Sequence, residues 1–136
     1  MFLVDANVVS ELSRSQPNAR VISWMRQHER ELAVNPIILG EIRYGIYLLP
    51  AGARRRRLEH WYVQVVEKIQ CIPIDGAIGV RWARLIADLR AKGEAIPVKD
   101  SLIAATALAR NWTVATHNTK DFAKSGVKLF DPYLAP

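Results

Sequence analysis

Short strand-like runs alternate along this chain with longer segments of helical periodicity, and this alternation limits the folds open to it more than any other feature. The runs are Phe2–Val4, Leu32–Val34, Ile72–Ile74, Trp112–Ala115 and Lys128–Phe130. A strand, helix, strand order favours parallel pairing, because parallel neighbours need a long crossover between them. The sequence therefore predicts an α/β fold with a central parallel sheet of about four to five strands and helices on both faces.

The helices between these strands are predicted from cap residues and from apolar residues three or four positions apart. Asn18 is a candidate cap for a helix that extends to about His28, Pro36 fits the first turn of the next helix, and Asp75 caps another that ends at Lys92-Gly93. The clearest amphipathic stripe contains Leu58, Trp61, Tyr62, Val65, Val66 and Ile69. Further helices are predicted after Asn7, over Asp100–Arg110 and near Asp121.

Length and composition indicate one domain that covers residues 1–136. Half of the residues are hydrophobic, and no Pro-, Gly- or Ser-rich stretch is long enough to separate two domains. There is no run of about 20 apolar residues and no signal-like leader, so we expect a soluble, cytoplasmic protein without a membrane span. The single cysteine, Cys71, lies in the apolar run Cys71-Ile72-Pro73-Ile74 and is expected to be buried.

The formal net charge of +6 and the pI near 9.8 favour polyanionic partners, nucleic acid first among them. An ordinary basic surface that maintains solubility fits the same numbers equally well. The run Arg54–Arg57 has the same two readings, since it can follow a phosphate backbone or form the solvated face of a helix.

Four carboxylates, Asp5, Glu41, Asp100 and Asp121, lie in apolar or structured surroundings. Ligands of parallel sheets bind at the carboxyl ends of the strands, where Asp5 and the segment from Thr116 to Asp121 are both expected. A cluster of buried anions requires a compensating positive charge. Mg²⁺ or Mn²⁺ prefers such oxygen ligands, whereas the three histidines and one cysteine have no zinc-like spacing.

Each acid also has a structural reading: Asp100 as a helix cap, Asp5 as a turn residue, Asp121 as a first-turn acid and Glu41 as a solvated helix position. Asn7, Thr116 and Asn118 are candidates for holding waters or phosphate oxygens, and each is also a common turn or cap residue. The three histidines, His28, His60 and His117, are expected at the surface.

Four motifs occur in order along the chain: Leu-Val-Asp-Ala-Asn-Val-Val-Ser-Glu-Leu at Asp5, Leu-Gly-Glu-Ile-Arg-Tyr-Gly-Ile at Glu41, Lys-Asp-Ser-Leu-Ile-Ala-Ala-Thr-Ala at Asp100, and Thr-His-Asn-Thr-Lys-Asp-Phe at Asp121. With these motifs the chain resembles the PIN-domain ribonucleases of the VapC toxin type, in the branch that includes FitB-like proteins. The resemblance extends over essentially the whole chain, and four ordered motifs are far more specific than one.

The resemblance implies that Asp5, Glu41, Asp100 and Asp121 are catalytic. It also implies an RNA substrate, a homodimer and a small antitoxin that blocks the pocket. The sequence departs from the family pattern at Ala6, Asn35 and Ile38, where relatives often carry Thr, Ser and Thr. None of these is an expected metal ligand. In the last motif the acid of relatives falls at the position of either Asn118 or Asp121, so the role of the fourth acid is the least defined.

These observations give one leading hypothesis and two alternatives. In the first, Asp5, Asp100 and Asp121 hold one or two metal ions directly or through water, Glu41 orients or deprotonates the attacking water, and RNA is hydrolysed. The alternatives are a basic module that binds RNA or a regulatory partner without cutting it, and a structure-specific DNA nuclease that uses the same pocket.

Overall fold

Five parallel strands form one sheet in the computed structural model, which describes residues 1–135. The strands are β1 (Phe2–Val4), β2 (Leu32–Val34), β3 (Gln70–Cys71), β4 (Thr113–Ala115) and β5 (Lys128–Phe130), in the spatial order β3-β2-β1-β4-β5. Every neighbouring pair is parallel, as the alternation of strand and helix patterns predicted.

The helices follow the strands in the predicted order. They are α1 (Ala6–Val9), α2 (Ala19–Gln27), α3 (Pro36–Tyr47), α4 (Ala53–Gln64), α5 (Gly76–Ala91), α6 (Val98–Arg110) and α7 (Thr119–Phe122). Short 3₁₀ turns extend several of them, including Ser10–Ser13 after α1 and Val66–Lys68 after α4. No helix within residues 1–135 is long and apolar enough to cross a bilayer.

Both faces of the sheet are covered. Successive side chains of a strand point to opposite faces, so a covered sheet buries adjacent residues together. The pairs Leu3 and Val4, Ala33 and Val34, and Val114 and Ala115 are all at most 1% exposed. Each fully buried Val or Leu side chain contributes about 1.5–3 kcal/mol, so this core fixes the three central strands relative to one another.

The strand order creates a crevice between β1 and β4. From β1 the chain adds β2 and β3 on one side and then crosses over to place β4 and β5 on the other. Ligands of open α/β sheets bind at such a reversal, outside the carboxyl ends of the strands. Val4 pairs with Ala115, and the Asp5 amide donates to the Ala115 carbonyl at 2.9 Å. Asp5 and Thr116 therefore leave the sheet side by side.

Several predicted helix boundaries agree with the structure, whereas the start of α6 differs. Asn18 caps α2 by accepting from the Arg20 and Val21 amides, and Asp75 caps α5 by accepting from the Ile78 amide at 3.0 Å. The latter helix ends just before Lys92. The helix predicted from Asp100 instead begins at Val98, directly after Pro97, so Asp100 is a first-turn residue and not the cap.

The predictions around β3 were wrong in three respects. The amphipathic helix ends at Gln64 and not near Ile69, because the chain turns to bury Val66 in a 3₁₀ turn. The strand predicted over Ile72–Ile74 is Gln70–Cys71, and Pro73 has no amide hydrogen with which to continue the ladder. Cys71 is exposed and not buried, because β3 is an edge strand.

Asn35 links the start of α3 to α6. It is fully buried, its side-chain oxygen accepts from the Ile38 amide at 2.9 Å, and its Nδ2 donates to Thr106 Oγ1 at 3.0 Å. One amide group therefore caps the helix that carries Glu41 and binds the helix that carries Asp100.

We predict that Asn35→Ala lowers the free energy of unfolding by about 2–4 kcal/mol, since it removes a cap and leaves buried polar groups unpaired. Urea unfolding measures this loss. Asn18→Ala is the matched control, because Asn18 caps α2 without a second helix contact, and it should cost about 1 kcal/mol. Equal losses in the two variants would show that the bond to Thr106 adds nothing.

Candidate active site

Asp5 occupies the crevice at the end of β1, where three donors fix its carboxylate. Oδ1 accepts from the Ala6 amide at 2.8 Å, and Oδ2 accepts from the Thr116 hydroxyl at 2.8 Å and from Asn7 Nδ2 at 3.1 Å. Only 6% of Asp5 is exposed. Burial nevertheless raises its pKa above the ordinary 3.8, although the Thr116, Ala6 and Asn7 hydrogen bonds oppose the rise, and the negative charge of Asp121 adds to it.

A small hydrogen-bond network around Thr116 connects β1 to the loop after β4. Thr116 is fully buried, and its hydroxyl oxygen accepts from the Asn118 amide at 3.0 Å. The side-chain oxygen of Asn7 accepts from the His117 amide at 3.1 Å. Thr116 therefore lies beneath the site and contacts Asp5, whereas Asn7 also ties the two loops together.

Glu41 lies on α3 and borders the same cleft as Asp5, and one of its carboxylate oxygens lacks a hydrogen bond to any described residue. Its Oε2 lies 3.6 Å from the Lys99 ammonium, whereas its shielded Oε1 has no hydrogen-bond partner among residues 1–135. Burial raises the pKa of Glu41, the charges of Asp5 and Asp100 raise it further, and Lys99 opposes the rise. A buried oxygen without a donor is costly, so this atom is available to a water or a cation.

Asp100 and Asp121 complete the acidic set. Asp100 lies in the first turn of α6, and its pKa is raised by burial first and then by the charges of Asp5 and Asp121, with Lys99 opposing the rise. Asp121 lies in the first turn of α7 and is exposed. The negative charge of Asp121 raises the pKa of both Asp5 and Asp100.

These side chains border one cleft of about 340 Å³. Its lining consists of Asp5, Ala6, Asn7, Glu41, Pro97, Lys99, Asp100, Asn118 and Asp121. All four predicted acids thus meet at one edge of the sheet, together with Asn7 and Asn118, while Thr116 lies below. Lys99 was not singled out from the sequence, although it precedes Asp100 directly.

The acidic side chains of the cleft suit a hydrated divalent cation better than a fully dehydrated one. Within residues 1–135, no three histidine, cysteine, aspartate or glutamate side chains are arranged to share one ion as direct ligands. Mg²⁺ commonly keeps several waters and binds through only one or two carboxylates, so this spacing suits a hydrated ion. The unpartnered Glu41 oxygen and the raised pKa values of Asp5, Glu41 and Asp100 indicate that the negative charge of the cleft is not fully balanced by protein cations. The residues fit such an ion.

Size alone does not locate this site. The largest depression, of about 690 Å³, lies between α2 and the segment from α4 to β3, and contains none of the four acids. Its lining includes Leu12, Ile22, Met25, Val65 and Ile69. The acidic cleft is distinguished by its charge and by its position at the strand ends, and not by its volume.

Glu11 is a buried acid outside the cleft that the sequence did not single out, and its carboxylate is fully paired. It accepts from the Tyr133 hydroxyl at 2.5 Å and from the Asn18 amide at 2.8 Å. Burial opposes its ionisation, but these bonds and Arg14 lower the pKa of Glu11 below the ordinary 4.5. Glu11 therefore has a structural role, in contrast to Glu41.

The histidines lie outside the cleft. His117 pairs with Asp131 at 3.0 Å and packs on the Tyr133 ring, His28 pairs with Glu31 at 3.1 Å, and His60 is exposed. His28 is only partly at the surface, because it also packs against Phe2.

Removing one site charge should stabilise the metal-free protein. A carboxylate with a raised folded-state pKa reduces stability as the pH rises through its unfolded value, and the full loss is present above its folded value. We therefore expect Asp100→Asn and Glu41→Gln to raise the melting temperature at pH 7.5 in EDTA, and the gain to shrink as the pH falls towards 4. Differential scanning calorimetry at low salt measures this.

The control is Asp88→Asn, which neutralises an exposed acid on α5 that pairs with Arg84 at 3.9 Å. This variant should show no gain. A site variant that is less stable than the wild type at pH 7.5 would contradict the inferred repulsion.

Comparison with known proteins agrees with the family resemblance seen in the four motifs. The chain matches the PIN domain family over residues 2–128. It is 33% identical to the VapC ribonuclease Y4jK of Sinorhizobium fredii, with 98% of each chain covered. It is 32% identical to toxin FitB of Neisseria gonorrhoeae, over 98% of this chain and 99% of that protein. The crystal structure of FitAcB from Neisseria gonorrhoeae superposes with a TM-score of 0.89 at 31% identity and covers 98% of this chain and 99% of that one. The chain belongs to the PIN-domain family.

Proposed function

We propose that this protein is a metal-dependent endoribonuclease, the toxin of a type II toxin–antitoxin pair, and that residues 1–136 act as one nuclease domain. The observation that carries the proposal is the meeting of Asp5, Glu41, Asp100 and Asp121 in one cleft, although they are far apart in the sequence. Support comes from the relatives named VapC ribonuclease and toxin FitB, which align over nearly the full chain.

We assign Asp5, Asp100 and Asp121 to holding a hydrated Mg²⁺ or Mn²⁺, directly or through the waters of the ion. The bound ion supplies positive charge against the scissile phosphate and lowers the pKa of a water molecule. Asp5 is held rigidly by three donors, so it needs no reorganisation when the ion binds. Asp100 lies in the first turn of α6 and Asp121 in the first turn of α7, and both helices begin at the cleft.

Glu41 orients the attacking water and accepts its proton in this proposal. The water oxygen forms the new bond to phosphorus while the bond from phosphorus to the leaving ribose oxygen breaks. The free Oε1 of Glu41 is available to the water, and a raised carboxylate pKa brings the base nearer to the operating pH. Asn118 borders the cleft and can donate to a phosphate oxygen. Asn7 and Thr116, whose side chains donate to Asp5, position that carboxylate.

The partners follow from the family and from charge. We propose a small antitoxin that covers the cleft and a homodimer as the working form, as the resemblance to the family implies. The net charge of +6 suits both an RNA substrate and an acidic antitoxin segment.

Asp5→Asn and Asp100→Asn should each reduce Mg²⁺-dependent RNA cleavage by more than about 100-fold, since loss of a metal ligand exceeds the 10–100-fold cost of disturbing its support. Purified protein is incubated with labelled RNA, with Mg²⁺ or with EDTA, and the products are separated on a gel. Glu67→Gln, a change at an exposed acid on the turn after α4, is the control and should cleave normally.

The same assay, run with matched single-stranded DNA, duplex DNA and RNA, separates the alternatives. Cleavage of DNA alone would replace the proposal with a DNA nuclease. Salt-sensitive RNA binding without products, unchanged by EDTA, would identify a non-cleaving binding module. Full activity in either aspartate variant would refute the assignment of the site.

A further inference from the structure

The run of four arginines at the start of α4 divides into two pairs with different surroundings. Arg54 and Arg57 line the same depression as Leu58, three and four positions along the helix, which places them on one face. Arg55 faces elsewhere, pairing with Glu59 at 3.0 Å and lying 5.8 Å from the centre of the Tyr47 ring. Arg56 is exposed and borders none of the depressions described here. Two of the four arginines, Arg54 and Arg57, therefore face this depression.

This depression is the outer end of a groove made of three adjacent depressions, the innermost of which is the acidic cleft. Three depressions of about 340, 240 and 350 Å³ follow one another, and each shares wall residues with the next. Ala6, Asn7 and Glu41 border both the cleft and the middle depression. Ser13, Arg54 and Leu58 border both the middle and the outer depression. A chain lying in the cleft can thus continue to the arginines without leaving the groove.

Charge changes sign along this path. The cleft is acidic, whereas the outer depression is lined by Arg14, Arg54 and Arg57 and has no acidic wall residue. In residues 1–135, neither Arg54 nor Arg57 has a carboxylate within 4.0 Å, and both are exposed. The Arg14 side chain is 68% exposed, and its Nε lies 3.6 Å from Glu11 Oε2, which is a long ion pair. Three guanidinium groups therefore face the groove with little internal neutralisation.

The middle depression is largely apolar, with a wall formed by Ile46, Leu49, Leu58 and Trp61. Apolar and aromatic side chains contact the faces of unstacked bases, while cations contact the phosphates. An apolar wall followed by a basic end therefore matches a single-stranded nucleic acid better than a purely acidic peptide, which has no apolar groups to pack against the wall.

We propose that Arg14, Arg54 and Arg57 bind the phosphate backbone of single-stranded RNA on one flank of the scissile bond, with Trp61 and its apolar neighbours against the bases. This proposal rests on the proposed function for the identity of the substrate. The arginines hold the strand in register with the acidic cleft, which by itself repels phosphate. They are positioning residues and take no part in the chemistry.

The test measures binding without cleavage. The fluorescence anisotropy of a labelled single-stranded RNA is measured as protein is added. The protein is the Asp100→Asn variant, with or without Arg54→Ala and Arg57→Ala. We expect affinity to fall roughly tenfold and the salt dependence, the slope of log K against log salt, to decrease by about 1.4, since each lost phosphate contact on a single strand accounts for about 0.7. The control is Asp100→Asn with Arg56→Ala and Arg84→Ala, which removes the same charge outside the groove and should bind within about twofold of Asp100→Asn alone. Circular dichroism establishes that each variant is folded.

A cleavage assay in the background that retains Asp100 provides the second measurement. There, Arg54→Ala/Arg57→Ala should raise KM while kcat is maintained, because the arginines act on binding and not on the reacting atoms. Equal weakening by the groove and control variants would overturn the proposal, since net charge alone would then explain binding. Unchanged RNA binding would also overturn it, including the case in which the groove variant loses affinity only for an acidic antitoxin peptide. Selective loss of RNA binding in a protein that never cleaves RNA would support the groove and refute the nuclease.

Discussion

Repulsion among carboxylates gathered at one edge of a hydrophobic sheet is the interaction on which the rest of this structure depends. Asp5, Glu41 and Asp100 each have a raised pKa, with burial as the largest cause and a neighbouring acid as a further one. A fold that only needed stability would not place these groups together. Lys99 offsets part of the charge, but it is largely exposed, and among residues 1–135 it forms an ion pair with Glu41 alone. The remaining imbalance is what a dication would relieve.

The sheet topology produces this arrangement. Because the chain reverses its direction of strand addition at β1, the ends of β1 and β4 are adjacent, and Asp5 meets Thr116 there. Asn35 then ties α3 to α6, which carry Glu41 and Asp100. The arginine groove extends outward from the same edge along α4. The crossover to β4 thus brings Asp5 and Thr116 together, while α3, α4 and α6 supply the other acids and the flanking cations.

Much of this was predictable from local patterns. Strands β1, β2 and β5, the caps Asn18 and Asp75, and the meeting of the four acids agree with expectation, because apolar runs, cap residues and parallel-sheet geometry are local or general rules. The failures at Cys71 and at the end of α4 arise where tertiary packing overrides periodicity. The bond from Asn35 to Thr106, the satisfied Glu11 and the division of the arginine run depend on contacts between distant segments, which no local pattern encodes.

The central claim, that these carboxylates share an unfavourable negative field which a dication relieves, is tested most directly by carbon-13 NMR titration of the Asp and Glu side-chain carboxyls with and without Mg²⁺. In EDTA, Asp5 and Asp100 should titrate above 3.8 and Glu41 above 4.5, whereas Mg²⁺ should move all three towards lower pH. Ordinary pKa values in EDTA, or titration curves that Mg²⁺ leaves unchanged, would contradict the account.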